Sequence, residues 1–366
     1  RQTDRQIGKM KNLWMVIIGV VAVAAVGDSE KMANFVIDLD LAPEARWTEV
    51  VAAYRDEFPA VLRTLPTLLP APIRGKAIAM SEEIGVALEA RMGEYGREMA
   101  GIARQLEVSN GAIVLLNCIY EFMFACTSVV AQTEDGQIIH GRNQDLGSGG
   151  ADTDLLRRVV FHANFTQNGV VQYEGNTYAG YVGLPTGMRP GRWGLSLDAT
   201  VSLFTMENEI MNILNGLLNE EATLISIFVR TALLESPMYA DALSAFVDQQ
   251  LVAPVYVILS GAAPGEGAVI THLRTHAIDV WNLTSSKYEF YLAETNYNHW
   301  EPNPISDPRR QVIVKCMNGV GQDRIDLESL YKCLSEVPVM NWLTTYTTVM
   351  NPGTSEYVNY VRYCCL

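Results

Sequence analysis

The sequence predicts an α+β fold in which stacked β-sheets carry helices on their outer faces. Segments with strand and helix patterns lie in separate blocks along the chain, which is the arrangement typical of α+β proteins. Apolar residues make up 49% of the 366 residues, which is enough to bury a large core in one or two domains. The sequence contains no internal repeat and no low-complexity stretch that would indicate another architecture.

The charge and the cysteine and histidine spacing exclude two kinds of ligand. The formal net charge is -14, whereas nucleic-acid binding needs a basic surface, so we expect no nucleic-acid partner. The six cysteines show no C-x-x-C spacing, which argues against a structural zinc site. His272 and His276 have the spacing of a helical ligand pair, but their segment, VITHLRTHAIDV, has the pattern of a strand. We therefore expect no metal site at these two histidines.

Residues 13–26, LWMVIIGVVAVAAV, form an uncharged apolar run behind Lys9 and Lys11. As a helix this run would span about 21 Å, less than a hydrocarbon core of ~30 Å. A basic flank followed by a short apolar run is typical of a signal peptide, and lysines that reach the headgroups would also allow a retained membrane anchor. We therefore assign residues 1–30 to an anchor or signal segment, with a buried helix as the structural alternative.

The rest of the chain divides into predicted helices and strands. Helical spacing begins in 41–69 and continues in 74–125, where the apolar faces are most simply core and a lipid-facing surface is the alternative. From Cys126 the period changes to two, and helices return at 206–236 and 238–249. The predicted strands are 126–132, 137–145, 158–164, 168–174 and 192–202, followed by PVYVILSG, GAVITHLR, DVWNL and YEFYLAETNY. The chain then has the helix DLESLYKCLSEVP and a final hairpin, TTYTTVMN with SEYVNYVRY.

The first two strands of this block meet at Asp135-Gly136, a dipeptide that predicts a two-residue hairpin turn. That turn would place Cys126 opposite Asp145 and turn Arg142 to the other face unless the strand bends or bulges. A thiol needs a base to attack an amide, and no histidine falls opposite the cysteine. Cutting the bond before Cys126 would supply an α-amino group as that base. A buried structural cysteine at the start of a core strand is the simpler alternative.

The stretch CTSVVAQTEDGQIIHGRNQDLG resembles the start of the catalytic subunit in the acid ceramidase and N-acylethanolamine acid amidase family, which are N-terminal-nucleophile hydrolases. LDLAPEARW and LLNCIYE are similar to the family's regulatory subunit. Five further stretches resemble its catalytic subunit in order: YVGLPTGMRPG, APVYVILSGAAPGEGAVITHLR, ETNYNHW, DPRR and TTYTTVMNP. The resemblance covers about residues 35–360.

The resemblance implies an αββα sandwich over 126–366, a helical regulatory-subunit-like region over 31–125, and self-cleavage between Ala125 and Cys126. It also implies hydrolysis of long-chain fatty-acid amides without a metal or organic cofactor. Five residues match the family's motifs and take roles from it. Cys126 would be the nucleophile and its own base, Asp145 would hold the α-amine, Arg142 would support the thiol and the polar end of the substrate, Asn296 would donate to the oxyanion, and Arg309 would complete the polar network.

The sequence also departs from the family. The family has a glutamate where this chain has Ala199, for which Asp198 or Glu207 could compensate, and TNYD and DDRR are here TNYN and DPRR, with Asn298 and Pro308. Cys316 matches a family cysteine that bridges to the regulatory subunit, but no cysteine precedes Cys118.

These features leave two hypotheses. In the first, the protein is a membrane-associated amidase of a lysosomal or secretory lumen that hydrolyses lipid amides such as ceramides or N-acylethanolamines, with residues 13–26 holding it at the bilayer. In the second, it is an uncleaved and catalytically silent accessory subunit of a membrane complex, for example in the mitochondrial inner membrane, where partner subunits would surround the anchor. The five matched residues favour the enzyme, since a scaffold does not need all of them; the loss at Ala199 favours the accessory subunit.

Overall fold

Two β-sheets lie face to face, and α-helices cover both outer sides. The structure is a computed structural model that describes residues 29–69, 71–122, 125–200, 206–218 and 222–363. Its strands are β1 (Ser29–Lys31), β2 (Ala33–Asp38), β3 (Ala125–Gln132), β4 (Ile138–Asp145), β5 (Val160–Gln167), β6 (Val170–Tyr178), β7 (Thr186–Arg189), β8 (Trp193–Ala199), β9 (Val255–Gly261), β10 (Gly267–His272), β11 (Ala277–Asn282), β12 (Tyr291–Glu294), β13 (Thr344–Asn351) and β14 (Glu356–Arg362).

The α-helices of the described residues are α1 (Thr48–Ala53), α2 (Phe58–Thr64), α3 (Ala71–Val86), α4 (Leu88–Leu106), α5 (Asn110–Phe122), α6 (Ala151–Val159), α7 (Met206–Leu218), α8 (Ile225–Glu235), α9 (Tyr239–Asp248), α10 (Arg309–Val320) and α11 (Leu327–Leu334). Gly93 interrupts α4 with a positive φ of 53°. The sequence predicted one helical segment over 206–236, whereas the structure has two helices there, α7 and α8.

Each sheet has a mixed strand order that brings distant segments together. One sheet has six strands in the order β1-β14-β13-β4-β3-β12, and the other has eight in the order β11-β10-β9-β8-β7-β6-β5-β2. Strand β4 lies in the centre of the first sheet with β3 beside it, and β8 lies in the centre of the second. The candidate site forms in the space between β3, β4 and β8.

Three apolar clusters define the layers. Val130, Ile258 and Leu292 belong to a cluster between the two sheets, while Val129 and Leu330 belong to a second cluster between the six-stranded sheet and helices α10 and α11. The third and largest cluster joins the eight-stranded sheet to the remaining helices, through side chains such as Met99, Phe161, Leu195 and Leu233. Neighbouring residues of β3 thus point to opposite layers, as strand geometry requires. The predicted α+β class and αββα sandwich are confirmed.

The segment before Cys126 contributes to both sheets as well as to the helical layer. Strand β1 pairs antiparallel with β14 at the edge of the six-stranded sheet, and β2 pairs parallel with β5 at the edge of the eight-stranded sheet. The sequence pattern did not predict these two strands, because each forms by pairing with a strand that lies far away in the sequence. They attach this segment to the sandwich at two separate places.

The apolar run at 13–26 lies outside the described residues. Among the helices that the structure describes, none is both long enough and apolar enough to cross a bilayer.

Candidate active site

The β3–β4 hairpin differs from the predicted one by a single residue of register. Thr133 N donates to Gln137 O at 2.9 Å and Gly136 N donates to Thr133 O at 3.0 Å, so three residues, not two, form the loop. Gly136 has a φ of 87°, as expected for a three-residue loop that ends in a glycine bulge. The strands consequently pair Gln132 with Ile138 and Cys126 with Gln144.

This register corrects two predictions about the site. Cys126 does not face Asp145, whose partner in the ladder is Ala125. Arg142 pairs with Ser128, which lies on the same face as Cys126, so it reaches the thiol without a bend or a bulge. A slip of one residue exchanges the faces of a strand, which explains why the predicted turn put the arginine on the wrong side.

The thiol of Cys126 is fully buried and lies between the two sheets. Arg142 Nη2 donates to Cys126 Sγ at 2.6 Å, Gln144 Nε2 lies 3.5 Å from the same sulfur, and the thiol faces Leu197 O of β8 at 3.7 Å. Burial raises the pKa of this thiol above its usual range, while the Arg142 charge acts against that rise. In this arrangement Arg142 is the main group that favours a thiolate.

Arg142 is itself held by contacts to strands on both sides. Its Nη1 donates to Thr186 Oγ1 at 2.6 Å, to Pro185 O at 3.1 Å and to Tyr346 Oη at 3.2 Å. Its Nη2 also donates to Leu197 O at 2.9 Å. These contacts leave the guanidinium fork little freedom, so its position against the sulfur is fixed by the fold.

Asn296 and Arg309 contact the backbone of Cys126. Cys126 N donates to Asn296 Oδ1 at 2.9 Å, and Arg309 Nη1 donates to Cys126 O at 2.6 Å. Arg309 Nη2 also donates to Asn296 Oδ1 at 3.0 Å, and Asp307 pairs with that nitrogen at 2.6 Å. Asn296 Nδ2 donates to Ala199 O at 2.7 Å. Asn296 therefore lies at the bond that precedes Cys126, and Arg309 lies at the bond that follows it.

Asp145 lies on the other face of β4, at the edge of this group. It accepts from Thr344 Oγ1 at 2.6 Å and from Asn341 Nδ2 at 2.9 Å, and its Oδ2 lies 3.7 Å from Arg309 Nη1. Burial raises its pKa to about 6, an effect that Arg309 partly offsets. The nitrogen of Cys126 is thus contacted by Asn296, and Asp145 reaches the site through Arg309.

Sequence reasoning missed several residues that hold the site together, although most lie within the stretches quoted above. Thr186 belongs to YVGLPTGMRPG, Asp307 to DPRR, and Tyr346 to TTYTTVMNP. Gln144 follows from the observed register. Asp198 is fully buried and its Oδ1 lies 3.7 Å from Arg142 Nη2. Of the two acidic residues named as substitutes for the family glutamate, only Asp198 can be placed, because the side chain of Glu207 lies outside the described residues.

Cys316 forms a disulfide with Cys333, which joins α10 to α11. Both cysteines follow Cys126 in the sequence, so no disulfide among the described residues connects the two sides of the bond before Cys126. His272 and His276 lie at the two ends of the β10–β11 turn. The described residues contain no cluster of three or more histidine, cysteine or acidic side chains that could hold a metal ion.

The αββα sandwich is the fold of the N-terminal-nucleophile hydrolases, and here a buried cysteine stands at the start of its strand β3. Within that class, the chain belongs to the family of acid ceramidase and N-acylethanolamine-hydrolyzing acid amidase, whose members are amidase-type hydrolases. The family model described as the beta subunit of N-acylethanolamine-hydrolyzing acid amidase matches residues 31–92.

Similarity to individual relatives extends over most of the chain. N-acylethanolamine-hydrolyzing acid amidase of Cavia porcellus is 36% identical over 89% of this chain and 89% of its own length. The Caenorhabditis elegans amidase is 32% identical over 96% of this chain and 97% of its own length, and acid ceramidase of Homo sapiens is 31% identical over 90% and 86%. A solved structure of the Caenorhabditis elegans amidase ortholog is 35% identical and superposes with a TM-score of 0.58, covering 65% of this chain and 100% of that one.

Proposed function

We propose that this protein is a self-activating amidase that hydrolyses fatty-acid amides through Cys126. The observation that carries the proposal is the convergence of three matched side chains on one cysteine, with a fourth, Asp145, beside Arg309. Arg142 contacts its sulfur at 2.6 Å, Asn296 contacts its nitrogen at 2.9 Å, and Arg309 contacts its oxygen at 2.6 Å. Asp145 lies 3.7 Å from Arg309 and completes the group.

The first reaction is the cut before Cys126. The sulfur attacks the carbonyl carbon of Ala125, the bond from that carbon to Cys126 N breaks, and the thiol proton passes to the released nitrogen. Water then hydrolyses the resulting thioester, which gives a carboxylate on Ala125 and a free thiol and amine on Cys126. Arg142 favours the thiolate, and Asn296 and Arg309 hold the nitrogen and oxygen of the cysteine in place.

In the second reaction the freed amine is the base for its own thiol. Its ordinary pKa of about 7.7–8.0 lies far below that of the Arg142 guanidinium, so of these two nitrogen groups only the amine can take the thiol proton. The thiolate attacks the amide carbon of the substrate, the amine leaves with a proton, and water hydrolyses the acyl-thioester to a fatty acid. In this step Asn296 Nδ2, which donates to Ala199 O in the uncut chain, turns to the oxyanion, and Asp145 and Arg309 keep the new amine near the sulfur.

We propose lipid amides as substrates because the relatives are named for N-acylethanolamines and ceramide. The same names contain the word acid, which supports an acidic lumen, lysosomal or secretory, as the working compartment. Association with the bilayer through residues 13–26 is the part of the proposal that would bring the enzyme to such a substrate.

The test is the intact mass of the protein after incubation at acidic and at neutral pH, measured under denaturing and reducing conditions. We expect two fragments that meet at Ala125 and Cys126, and a single chain in the matched variant Cys126→Ser at acidic pH. The cut protein should then release fatty acid from an N-acylethanolamine or a ceramide in detergent micelles, and the variant should not.

A single unbroken wild-type chain at both pH values would overturn the self-activating reading, as would a cut that Cys126→Ser does not prevent. The unbroken chain would favour the silent accessory subunit, and the next step would then be to identify the proteins purified with it.

A further inference from the structure

A buried chain of hydrogen bonds runs between the two sheets and ends beside Arg142. His140 Nε2 lies 2.9 Å from Ser196 Oγ, Ser196 Oγ donates to Ser128 Oγ at 2.8 Å, and Ser128 Oγ donates to Asp198 Oδ1 at 2.8 Å. Each hydroxyl has one hydrogen, and both point towards Asp198. His140 Nε2 must therefore be the donor to Ser196. Its Nδ1 lies 3.0 Å from Ser260 Oγ, whose one hydrogen is shared between that nitrogen and Gly194 O at 3.2 Å.

Asp198 and Cys126 share one nitrogen of Arg142. Nη2 lies 2.6 Å from Cys126 Sγ and 3.7 Å from Asp198 Oδ1. The other carboxyl oxygen, Oδ2, is buried without a hydrogen-bond partner. A nearby positive charge strongly stabilises the ionised form of a buried carboxylate with an unpaired oxygen, and it stabilises a buried thiolate in the same way. The two groups therefore draw on the same guanidinium.

We propose that Asp198 is a positioning residue that competes with Cys126 for the charge of Arg142, and that Ser128, Ser196 and His140 hold its carboxyl group in place. The inference rests on the proposed function, since it concerns the ionisation of the proposed nucleophile. While Asp198 is ionised, its charge raises the pKa of the Cys126 thiol. Once Asp198 is protonated, Arg142 is left to the sulfur and the thiolate is favoured.

The groups around Asp198 determine where this change occurs. Burial raises the pKa of Asp198 to about 6, Arg142 of β4 and Arg309 of α10 act against that rise, and Asp145 of β4 adds to it. Glu294 of β12 is coupled to Asp198 through charge as well, as is Tyr256 of β9. His140 stays neutral, because burial lowers its pKa to about 3. The competition is therefore relieved at mildly acidic pH.

The variant Asp198→Asn tests the inference because it keeps the side chain's shape and removes its charge. Cys126 is labelled with a small methanethiosulfonate across a pH series, and the labelled peptide is measured by mass. We expect Asp198→Asn to label about tenfold faster than the wild type at neutral pH, because one pKa unit of the thiol changes its thiolate fraction by that factor. The two rates should converge below the pKa of Asp198.

A matched control is Glu294→Gln, which also removes a buried carboxylate near the site. Glu294 pairs with Arg310 at 3.4 Å and not with Arg142, so its labelling rate at neutral pH should equal the wild-type rate. Only the pH at which Asp198 is protonated, which depends on the charges around it, should move. The inference is overturned if Asp198→Asn has the wild-type profile, or if its rate changes by one factor at every pH, because that result reflects access to the thiol alone.

Ser128→Ala provides a second test if Asp198→Asn does not fold. Ser128 lowers the pKa of Asp198 by donating to its carboxylate, so in Ser128→Ala the carboxyl group should stay protonated to higher pH. The pH above which ionised Asp198 slows the labelling of Cys126 should therefore move upwards. An unmoved profile would contradict the inference.

The labelling readout requires neither cleavage nor turnover, and intact mass on the same samples sorts cut from uncut chains. Shifted labelling in a protein that never cuts itself would retain this inference and overturn the proposed function. Normal self-cleavage with an unshifted labelling profile would retain the proposed function and overturn this inference.

Discussion

Glu98 of α4 and Arg230 of α8 form a fully buried, bidentate ion pair that joins the two sides of the bond before Cys126. Glu98 Oε2 lies 2.5 Å from Arg230 Nη1, and Oε1 lies 3.0 Å from Nη2. Glu98 also accepts from Trp47 Nε1 at 2.7 Å and from Arg46 Nη1 at 3.0 Å. This cluster is positioned to hold the two fragments together where no described disulfide does so.

We expect Glu98→Gln to lower the free energy of unfolding by about 3–5 kcal/mol, because it leaves the buried charge of Arg230 without its partner. Urea unfolding measures the change. The matched control is Glu94→Gln, since Glu94 also pairs with Arg46 but its side chain is 65% exposed. Exposed pairs contribute ~1 kcal/mol or less, so equal losses in the two variants would contradict the prediction.

Arg142→Gln should slow self-cleavage by about 10- to 1,000-fold, because an adjacent positive charge lowers the pKa of an acidic group by one to three units. Arg142→Lys keeps the charge but loses the fork that reaches Thr186 and Leu197, so its loss should be smaller. The measurement is the rate of appearance of the two fragments at acidic pH. Equal losses in both variants would show that geometry matters here and that charge does not.

Asn296→Asp should separate the two functions of this side chain. The variant keeps the oxygen that accepts from Cys126 N and loses the amide hydrogens of Nδ2. We expect the kcat for a fatty-acid amide to fall about 100- to 1,000-fold, which is the typical loss of one oxyanion donor. Asn296→Ala is a poorer variant, because Asn296 has a φ of 70°, where alanine is strained. An unchanged kcat in Asn296→Asp would exclude the oxyanion role.

The stability of the fold should be higher at mildly acidic pH than at mildly alkaline pH. Burial raises the pKa of Asp145 and Asp198 to about 6 and that of Glu294 to about 8. Below these values the native state binds more protons than the unfolded chain, so the free energy of unfolding falls as pH rises through them. His140, with a pKa lowered to about 3, acts in the opposite direction but is one group against three.

Thermal unfolding checks the sign of this dependence. We expect a higher Tm at about pH 5 than at about pH 8. Glu294→Gln should flatten the upper part of the slope, which belongs to that residue. A Tm that rises steadily over the same interval would contradict the prediction.

Replacing Cys316 and Cys333 by serine should cost about 2–4 kcal/mol of unfolding free energy, the usual value of a disulfide that closes a loop of this order. The two cysteines are 17 residues apart and join α10 to α11. The double variant should still keep its two fragments associated after self-cleavage, as measured by size-exclusion chromatography under native conditions. Loss of the fragment that ends at Ala125 would mean that this disulfide supports the interface.

Most of the layer architecture could be predicted from the sequence because it depends on local periodicity. The apolar alternation in PVYVILSG and GAVITHLR corresponds to β9 and β10, and the last predicted hairpin corresponds to β13 and β14. The hairpin at Cys126 was misplaced because Asp-Gly fits a two-residue turn and also a three-residue loop with a glycine bulge. Only the partners of Thr133 distinguish the two, and an error of one residue sent Arg142 to the wrong face.

The five matched residues were available from motifs, but their mutual geometry was not. Arg309 reaches Cys126 O through a fold that brings together positions far apart in the chain, and no spacing rule encodes that contact. The contact of Asp198 with Arg142 depends on the stacking of β8 over β4, and the pairing of β2 with β5 depends on an edge far along the chain. Such features follow from tertiary packing, which a one-dimensional pattern does not contain.

The strands β1 and β2 have a consequence for the life of a cut molecule. Each lies at the edge of a different sheet, and the described apolar side chains before Cys126 that are buried belong to the same cluster as the eight-stranded sheet. This part of the segment therefore folds together with the sandwich. Before the cut, folding is a unimolecular process with every edge partner tethered. After it, two chains must find each other, and recovery from denaturation becomes second order in protein concentration. Self-cleavage would thus make refolding depend on protein concentration, and the cut enzyme would stay active only as long as its two fragments remain associated.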